Sequence, residues 1–255
     1  MTKELVQEYY GKTLQGTEDL KTSACCSTVR PPDRVIEALK HIHPEVSGRF
    51  YGCGVVVPEV DMTGWTVVDL GSGSGQDVYV LAQLVGEAGS VIGVDMTPEQ
   101  LAVARAYVDW HRDRFGFEDA NTRFVEGHVD TLGDLDLPAG EVDLVVSNCV
   151  INLVADKSAV FEGVARLLKP GGRFLFSDVF VDKPVPDHLA SDPEILGECL
   201  GGAMTRDSFE ALREPSFEAA RWLESRPLDV DDPSIAAKLE GFTFESRTVE
   251  LVRSA

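Results

Sequence analysis

Thr66-Val67-Val68-Asp69-Leu70-Gly71-Ser72-Gly73-Ser74-Gly75-Gln76-Asp77 decides the fold of this chain. A β-branched apolar run ends in three glycines at alternate positions, and an amphipathic segment from Val78 to Val85 follows. The pattern predicts a strand, a tight turn and a helix. Glycine suits such a turn because the backbone there takes angles that side chains forbid. The bare main chain can also approach a ligand whose polar groups meet the helix N-terminus. The spacing is G-x-G-x-G, one residue shorter than the dinucleotide fingerprint. A turn with a purely structural role is the plainer alternative.

Working outward, strands and helices alternate. Residues 66–70 form a strand, 75–86 a helix and 90–94 a strand ending at Asp95, with Pro98 opening a helix to about Arg114. An acid about 20 positions beyond such glycines can accept both ribose hydroxyl protons, and Asp95 fits. Asn121 to Val125 is a third strand, leading to Glu126-Gly127-His128-Val129-Asp130, where His128 is either a ligand contact or a solvated loop residue. Val142 to Ser147, a helix over 156–168 closed by Lys169-Pro170-Gly171-Gly172, and a strand from Arg173 to Val179 follow. This is an α/β chain with a doubly wound, mostly parallel sheet that binds ligands at the carboxyl ends of its strands. The short glycine motif preceded by Asp69 resembles the first motif of the class I S-adenosylmethionine (SAM) methyltransferases, a Rossmann-like fold.

Three regions are expected. Residues 1–60 form an N-terminal helical cap with thiol loops, including a helix over 1–20 with Tyr9, Tyr10 and Leu14 inward and a second helix to about Ile42 capped by Asp33. Residues 61–182 form the cofactor-binding domain. Residues 183–255 form a smaller, less regular C-terminal region on the substrate side, broken by several prolines and closing with a strand over 241–252.

The net charge is −20, and Arg outnumbers Lys, 15 to 8. Such a chain repels phosphate backbones, which argues against nucleic acid. The acids are spread out, as at Asp130, Asp134, Asp136, Glu141 and Asp143. They suit a salt-rich cytoplasm, in which molar KCl should not lower thermal stability. No basic leader and no apolar run of bilayer length is seen, so a cytoplasmic protein without membrane attachment is expected.

Five cysteines stand at positions 25, 26, 53, 149 and 199, and no C-x-x-C occurs. Scattered core thiols are the bland reading. Cys149 argues against it, because it follows the fourth strand at its carboxyl end, where the reacting end of a cofactor would lie. Cys25, Cys53 and Cys199 sit on small-residue or glycine-rich loops, where thiols are candidates for chemistry.

Four passages resemble the arsenite methyltransferases: Ser23-Ala24-Cys25, Tyr51-Gly52-Cys53-Gly54, Ser147-Asn148-Cys149-Val150-Ile151-Asn152-Leu153 and Gly197-Glu198-Cys199-Leu200-Gly201-Gly202-Ala203. Asp69 to Gly75 and Asp95-Met96-Thr97 are similar to the family as well. The resemblance implies that Cys149 and Cys199 hold trivalent arsenic, with Cys53 as third ligand and Cys25 as redox partner. It also implies cofactor contacts at Tyr51, Asp69, Gly71, Gly73, Gly75, Asp95, Met96, Val129 and Asn148. The implied substrates are arsenite and methylarsenite, with SAM as cofactor and glutathione or a thioredoxin-like protein as reductant. Two departures stand out. Cys26 doubles the expected single thiol, and the register of Arg30-Pro31 favours Cys25. After Ala203, Met204-Thr205-Arg206 replaces a bulky apolar-aromatic passage. A methyltransferase of another small metabolite, or a protein that only binds the metalloid, are the alternatives. The first would need a general base and would leave the thiols without a role.

Overall fold

A computed structural model describes residue 7 and residues 30–50, 52, 56–214, 216–230 and 232–255. The expected helix over 1–20, apart from Gln7, and Cys25, Cys26, Tyr51 and Cys53 lie outside the described residues. Among the described residues, seven strands form one sheet in the order β3-β2-β1-β4-β5-β7-β6. They are β1 (Thr66–Leu70), β2 (Ser90–Asp95), β3 (Thr122–Glu126), β4 (Val142–Asn148), β5 (Leu168–Val181), β6 (Arg221–Pro227) and β7 (Phe244–Val252). The first five run parallel, and β7 is antiparallel to both β5 and β6.

The glycine-led strand sits in the middle because its side chains can be buried on both faces. Val68 and Leu70 point into one apolar layer with Ile92, Val94 and Val145. Val67 points into the other, with Val91, Leu144 and Val146. The helices covering these layers follow the winding of the chain. α1 (Asp33–Leu39), α2 (Pro44–Ser47), α3 (Gln76–Val85), α4 (Pro98–Ala106) and α5 (Val108–Phe115) precede β3, and α6 (Lys157–Leu167) joins β4 to β5. Val78, Leu81 and Val85 of α3 belong to the second layer, and Val160, Phe161 and Val164 of α6 to the first. The strand order reverses between β1 and β4, which opens a crevice above their carboxyl ends.

Residues 183–255 contribute at two places. The short helices α7 (Asp187–Ala190) and α8 (Pro193–Gly197) lead to Cys199, while α9 (Arg206–Arg213) and α10 (Pro233–Lys238) flank β6. β6 and β7 extend the same sheet. β6 was not foreseen, because its apolar residues Trp222 and Leu223 are adjacent and do not alternate.

Three local expectations are corrected. Asp33 is the first residue of α1 and not its cap; Pro32 holds the cap position, and Asp33 pairs with Arg30 at 2.7 Å. The long helix from Pro98 breaks at Tyr107 (φ −111°), whose ring stacks on His43 at 3.8 Å. The fifth strand starts at Leu168, because Leu168 already pairs with Val142 before the register shifts. Among the described residues, no helix is long and apolar enough to cross a membrane.

Candidate active site

The turn after β1 is built as its glycines suggest. Gly71, Gly73 and Gly75 all have positive φ (73°, 52° and 93°), a region L-side chains rarely adopt. A Cβ on Gly71 would lie 2.2 Å from the Val150 side chain, and one on Gly75 would meet the Phe124 ring at 2.8 Å. Nothing lies within 4 Å of a Cβ on Gly73, so that residue faces open space. Asp95, at the end of β2, pins the turn. One carboxylate oxygen accepts from the Gly73 N–H at 2.8 Å, and the other from the Thr97 N–H at 2.8 Å.

This turn forms the floor of a cleft. Of the expected cofactor residues, Asp69, Gly71, Gly73, Asp95, Met96, Val129 and Asn148 line it, and so do His128 and Cys149. Gly75 does not; it caps α3 beneath the floor. Gly52 also reaches the cleft, where its bare backbone packs against Asn148.

Two buried carboxyls, Asp69 and Asp95, gather with the half-buried Asp77 on one side. Burial raises Asp69 well above the usual carboxylate range, and the negative charges of Asp77 and Asp95 add to it. Asp77 is pushed up to about 6 by burial, although Asn148 Nδ2 donates to it at 3.0 Å. Asp95 is raised by burial against the N–H groups that favour its anion. Like charges stored together suit a cationic ligand, whose charge would relieve their repulsion. Asp77 was not singled out from the sequence. Its signal was an acid in the first turn of the helix that opens the glycine turn.

Sulfur reaches the cleft through Cys149, next in the chain to Asn148, while Cys199 and Asp178 lie outside its lining. Cys149 and Cys199 are 50 positions apart in the chain, yet their sulfurs and a carboxylate oxygen of Asp178 all lie within 4.8 Å of one another. Cys149 is half of a disulfide, whereas Cys199 keeps its thiol and donates to the Cys149 carbonyl oxygen at 3.3 Å. Both are buried in an apolar cluster with Val179, Ile195 and Leu200.

Their backbones share a second property. Cys149 (φ 57°) and Cys199 (φ 63°) are the non-glycine residues with positive φ among the described residues. At Cys199 the cause is visible. The Cys199 N–H bonds to the Leu196 carbonyl and the Leu200 N–H to the Ile195 carbonyl, closing α8 in a Schellman motif. The left-handed position of that motif ordinarily takes glycine. At Cys149 the chain leaves β4, and its N–H bonds to the Ser177 carbonyl at 2.8 Å.

Asn152 ties these segments together. Its side-chain amide donates to the Val179 carbonyl at 2.7 Å and the Cys199 carbonyl at 3.3 Å, and its N–H donates to Asp178 at 3.1 Å. A Cβ on Gly202 would stand 1.8 Å from the Asn152 carbonyl oxygen, so glycine is required there. Asp178 is fully buried and pushed up to about 7 by burial, against donors at Val179 and Asn152 and the charge of Lys157. An acid inside the apolar run Phe174 to Val181 was the signal that could have found it.

A doubly wound sheet with a glycine turn at its switch point and an acid at the end of β2 is the architecture of a methyltransferase domain, and the methyltransferase domain family matches residues 62–224. An arsenite methyltransferase from Aquipseudomonas alcaligenes is 51% identical over 251 residues, covering 98% of this chain and 72% of that protein. The chain belongs to the arsenite methyltransferase family. The human arsenite methyltransferase is 48% identical over 250 residues, 97% of this chain and 66% of that protein, so this chain spans about two thirds of its length. The crystal structure of an arsenic(III) S-adenosylmethionine methyltransferase from Chlamydomonas reinhardtii superposes with a TM-score of 0.83 at 42% identity, covering 88% of this chain and 75% of that one.

Proposed function

We propose that this chain methylates trivalent arsenic, from arsenite to methylarsenite and onward, with SAM as methyl donor. The observation that carries it is the meeting of Cys149, which lines the cleft, with Cys199, which packs against it just outside the lining. Trivalent arsenic is soft and thiophilic, and thiolates are the ligands that bind it well. Cys53 completes the set as third ligand. The alternative, a methyltransferase of another small metabolite, would leave two buried cysteines in left-handed backbone without a purpose.

The cofactor contacts follow the lining of the cleft. Asp95 takes the ribose hydroxyls, and Gly71 and Gly73 let the main chain approach. Met96 and Val129 flank the adenine, and Asn148 and Asp69 stand by the charged end; Tyr51, outside the described residues, is assigned to the cofactor on the family resemblance alone. The buried acids on this side suit a sulfonium and an ammonium. When bound, SAM supplies an electrophilic methyl group.

Alignment, with no general base, is what the thiols must provide, because arsenic has a lone pair and no proton to lose. Its lone pair would form the new As–C bond as the sulfonium S–CH3 bond breaks, that bond's electron pair staying on the departing thioether sulfur, and arsenic would pass formally from trivalent to pentavalent. Two thiols then return two electrons and close a disulfide. Cys25 and Cys53 are assigned that step, with Cys26 the neighbour that could replace Cys25. Glutathione or a thioredoxin-like protein reopens the disulfide. The same reductant is needed to free Cys149 from its disulfide before arsenic can bind. We place the enzyme in the cytoplasm, with its acidic surface adapted to salt.

Incubation with arsenite, SAM and glutathione or thioredoxin, followed by arsenic speciation, tests the reading. Methylated arsenicals are expected. Cys149→Ser and Cys199→Ser should each lose at least about 100-fold in rate, roughly 2.7 kcal/mol of barrier, while SAM still binds. A Cys149→Ser variant that methylates at the normal rate would end the proposal.

A further inference from the structure

We propose that Cys149, Cys199 and Asp178 form a binding site for a zinc-group divalent cation, Zn²⁺ or Cd²⁺, which excludes arsenic from the same pair of thiols. The inference rests on the reading of Cys149 and Cys199 as an arsenic-binding pair, and adds a ligand and an inhibitor class to it.

Three features point to a divalent cation. The first is spacing. The two sulfurs and the carboxylate oxygen lie within 4.8 Å of one another. Tetrahedral Zn²⁺, with bonds of about 2.3 Å to sulfur and 2.0–2.2 Å to oxygen, sets its ligands about 3.5–3.8 Å apart. Closing the set therefore takes side-chain shifts of about an ångström, with no movement of the fold.

The second is the donor type. Pyramidal trivalent arsenic favours thiolates, and a carboxylate is a poor third partner for it. Zinc-group ions accept sulfur and oxygen together. Asp178 is held in place for such a role. The Val179 N–H donates to one of its oxygens at 2.9 Å and the Asn152 N–H to the other at 3.1 Å. The Ile151 N–H is a third backbone donor to this carboxylate, which leaves one of its four lone-pair positions for a metal.

The third is charge. Two thiolates and a carboxylate bring three negative charges into an apolar cluster, where uncompensated charge is costly. A divalent ion cancels two. Lys157 supplies the remaining positive charge. Its half-buried ammonium interacts with both Asp178 and Cys199, and it donates to the Val154 carbonyl at 3.0 Å. The sum is neutral for a divalent ion and for no other common valence. Because Cys149 is a ligand, only the form with its disulfide reduced binds the cation.

The test uses the whole chain, reduced with a phosphine so that no thiol competes, and Cd²⁺ as probe. X-ray absorption of the one-to-one complex should give a first shell of two sulfurs completed by oxygen. Cd²⁺ should raise the KM for arsenite without changing that for SAM, and the oxidised chain should not bind Cd²⁺. Asp178→Asn should weaken Cd²⁺ about 10- to 100-fold, the scale of losing a partner at a metal site, with a much smaller effect on arsenite affinity. Three sulfurs in the shell, a shell of oxygen or nitrogen alone, or no competition with arsenite would each overturn the proposal. The wild-type spectrum decides the matter even if Asp178→Asn does not fold. Failure of the underlying reading looks different, because then the reduced chain binds neither arsenite nor Cd²⁺ through sulfur.

Discussion

The glycine turn and the cysteine pair solve the same backbone problem in opposite ways. On the cofactor side, each residue forced to positive φ is a glycine: Gly71, Gly73 and Gly75. The chemistry there needs only main-chain N–H groups and room, so the side chain can be given up. On the thiol side the positive-φ residues are Cys149 and Cys199. On the proposed reading a sulfur is needed there, and the chain keeps it at a cost of about 1–2 kcal/mol per residue for the left-handed conformation. Where backbone and side chain compete for one position, the chemistry required there decides which prevails.

The comparison can be broken first at Asp95, the residue that converts the glycine turn into a defined cradle. Its two bonds, from the Gly73 and Thr97 N–H groups, pin the turn to β2. Asp95→Ala should weaken SAM about 10- to 100-fold, since hydrogen bonds to a charged group are worth about 1.5–3 kcal/mol. Arsenite binding by the reduced chain should change little. Calorimetric titration with each ligand separates the two. If both affinities fell together, the turn and the pair would not be independent.

The same contrast explains what was legible in the sequence. The glycine turn and the acid at Asp95 are local signals, and β1 to β5 could be read from apolar runs separated by helices. That Cys149 and Cys199 belong together was legible only through the family resemblance, since no local rule joins residues 50 positions apart. The Schellman turn at Cys199 was hidden because a cysteine occupies the place where glycine would have announced it. The break at Tyr107 depends on a stack with His43 from another segment. β6 was invisible because Trp222, which packs on the core, is followed by exposed Leu223 and by polar residues, so no apolar alternation announces this edge strand. Asp69, Asp77 and Asp178 could be found as residues, but their raised pKa values come from burial that only the fold creates.

A second way to sharpen the comparison lies on the cofactor side. His111 on α5 stacks on Tyr79 of α3 at 3.6 Å and accepts from the His43 N–H at 3.2 Å. Burial lowers it to about 4 from 6.5, with His43 pushing the same way. A depressed pKa means that the folded state favours neutral imidazole. That contribution is complete above pH 6.5 and is lost as pH falls from 6.5 toward 4. It amounts to at most about 3 kcal/mol, and about 2 is expected for a ring that can adjust. His111→Phe keeps the stack and removes the titration. The variant should be less stable than the wild type at pH 7, and the gap should narrow by about 2 kcal/mol by pH 4. Groups common to both proteins, Asp77 and Asp178 included, cancel in the difference. Urea melts at a series of pH values would show it, and a constant or widening gap would refute the assignment.

The smallest effect probes the strain itself. Cys199→Ala and Cys199→Gly both remove the sulfur, but alanine retains a Cβ in the left-handed position. Relief of the conformation favours glycine by about 1–2 kcal/mol. The looser unfolded chain of glycine returns about 0.5–1 kcal/mol. Glycine should therefore be the more stable of the two by about 0.5–1 kcal/mol, although it buries less. Ala165→Gly in α6, an ordinary helical position, should run the other way by about 1 kcal/mol. The sign at position 199, read from paired denaturant melts, is what matters. Were alanine the more stable there, the cysteine pair would hold no stored strain, and Cys199 would be an unstrained turn residue that happens to carry sulfur.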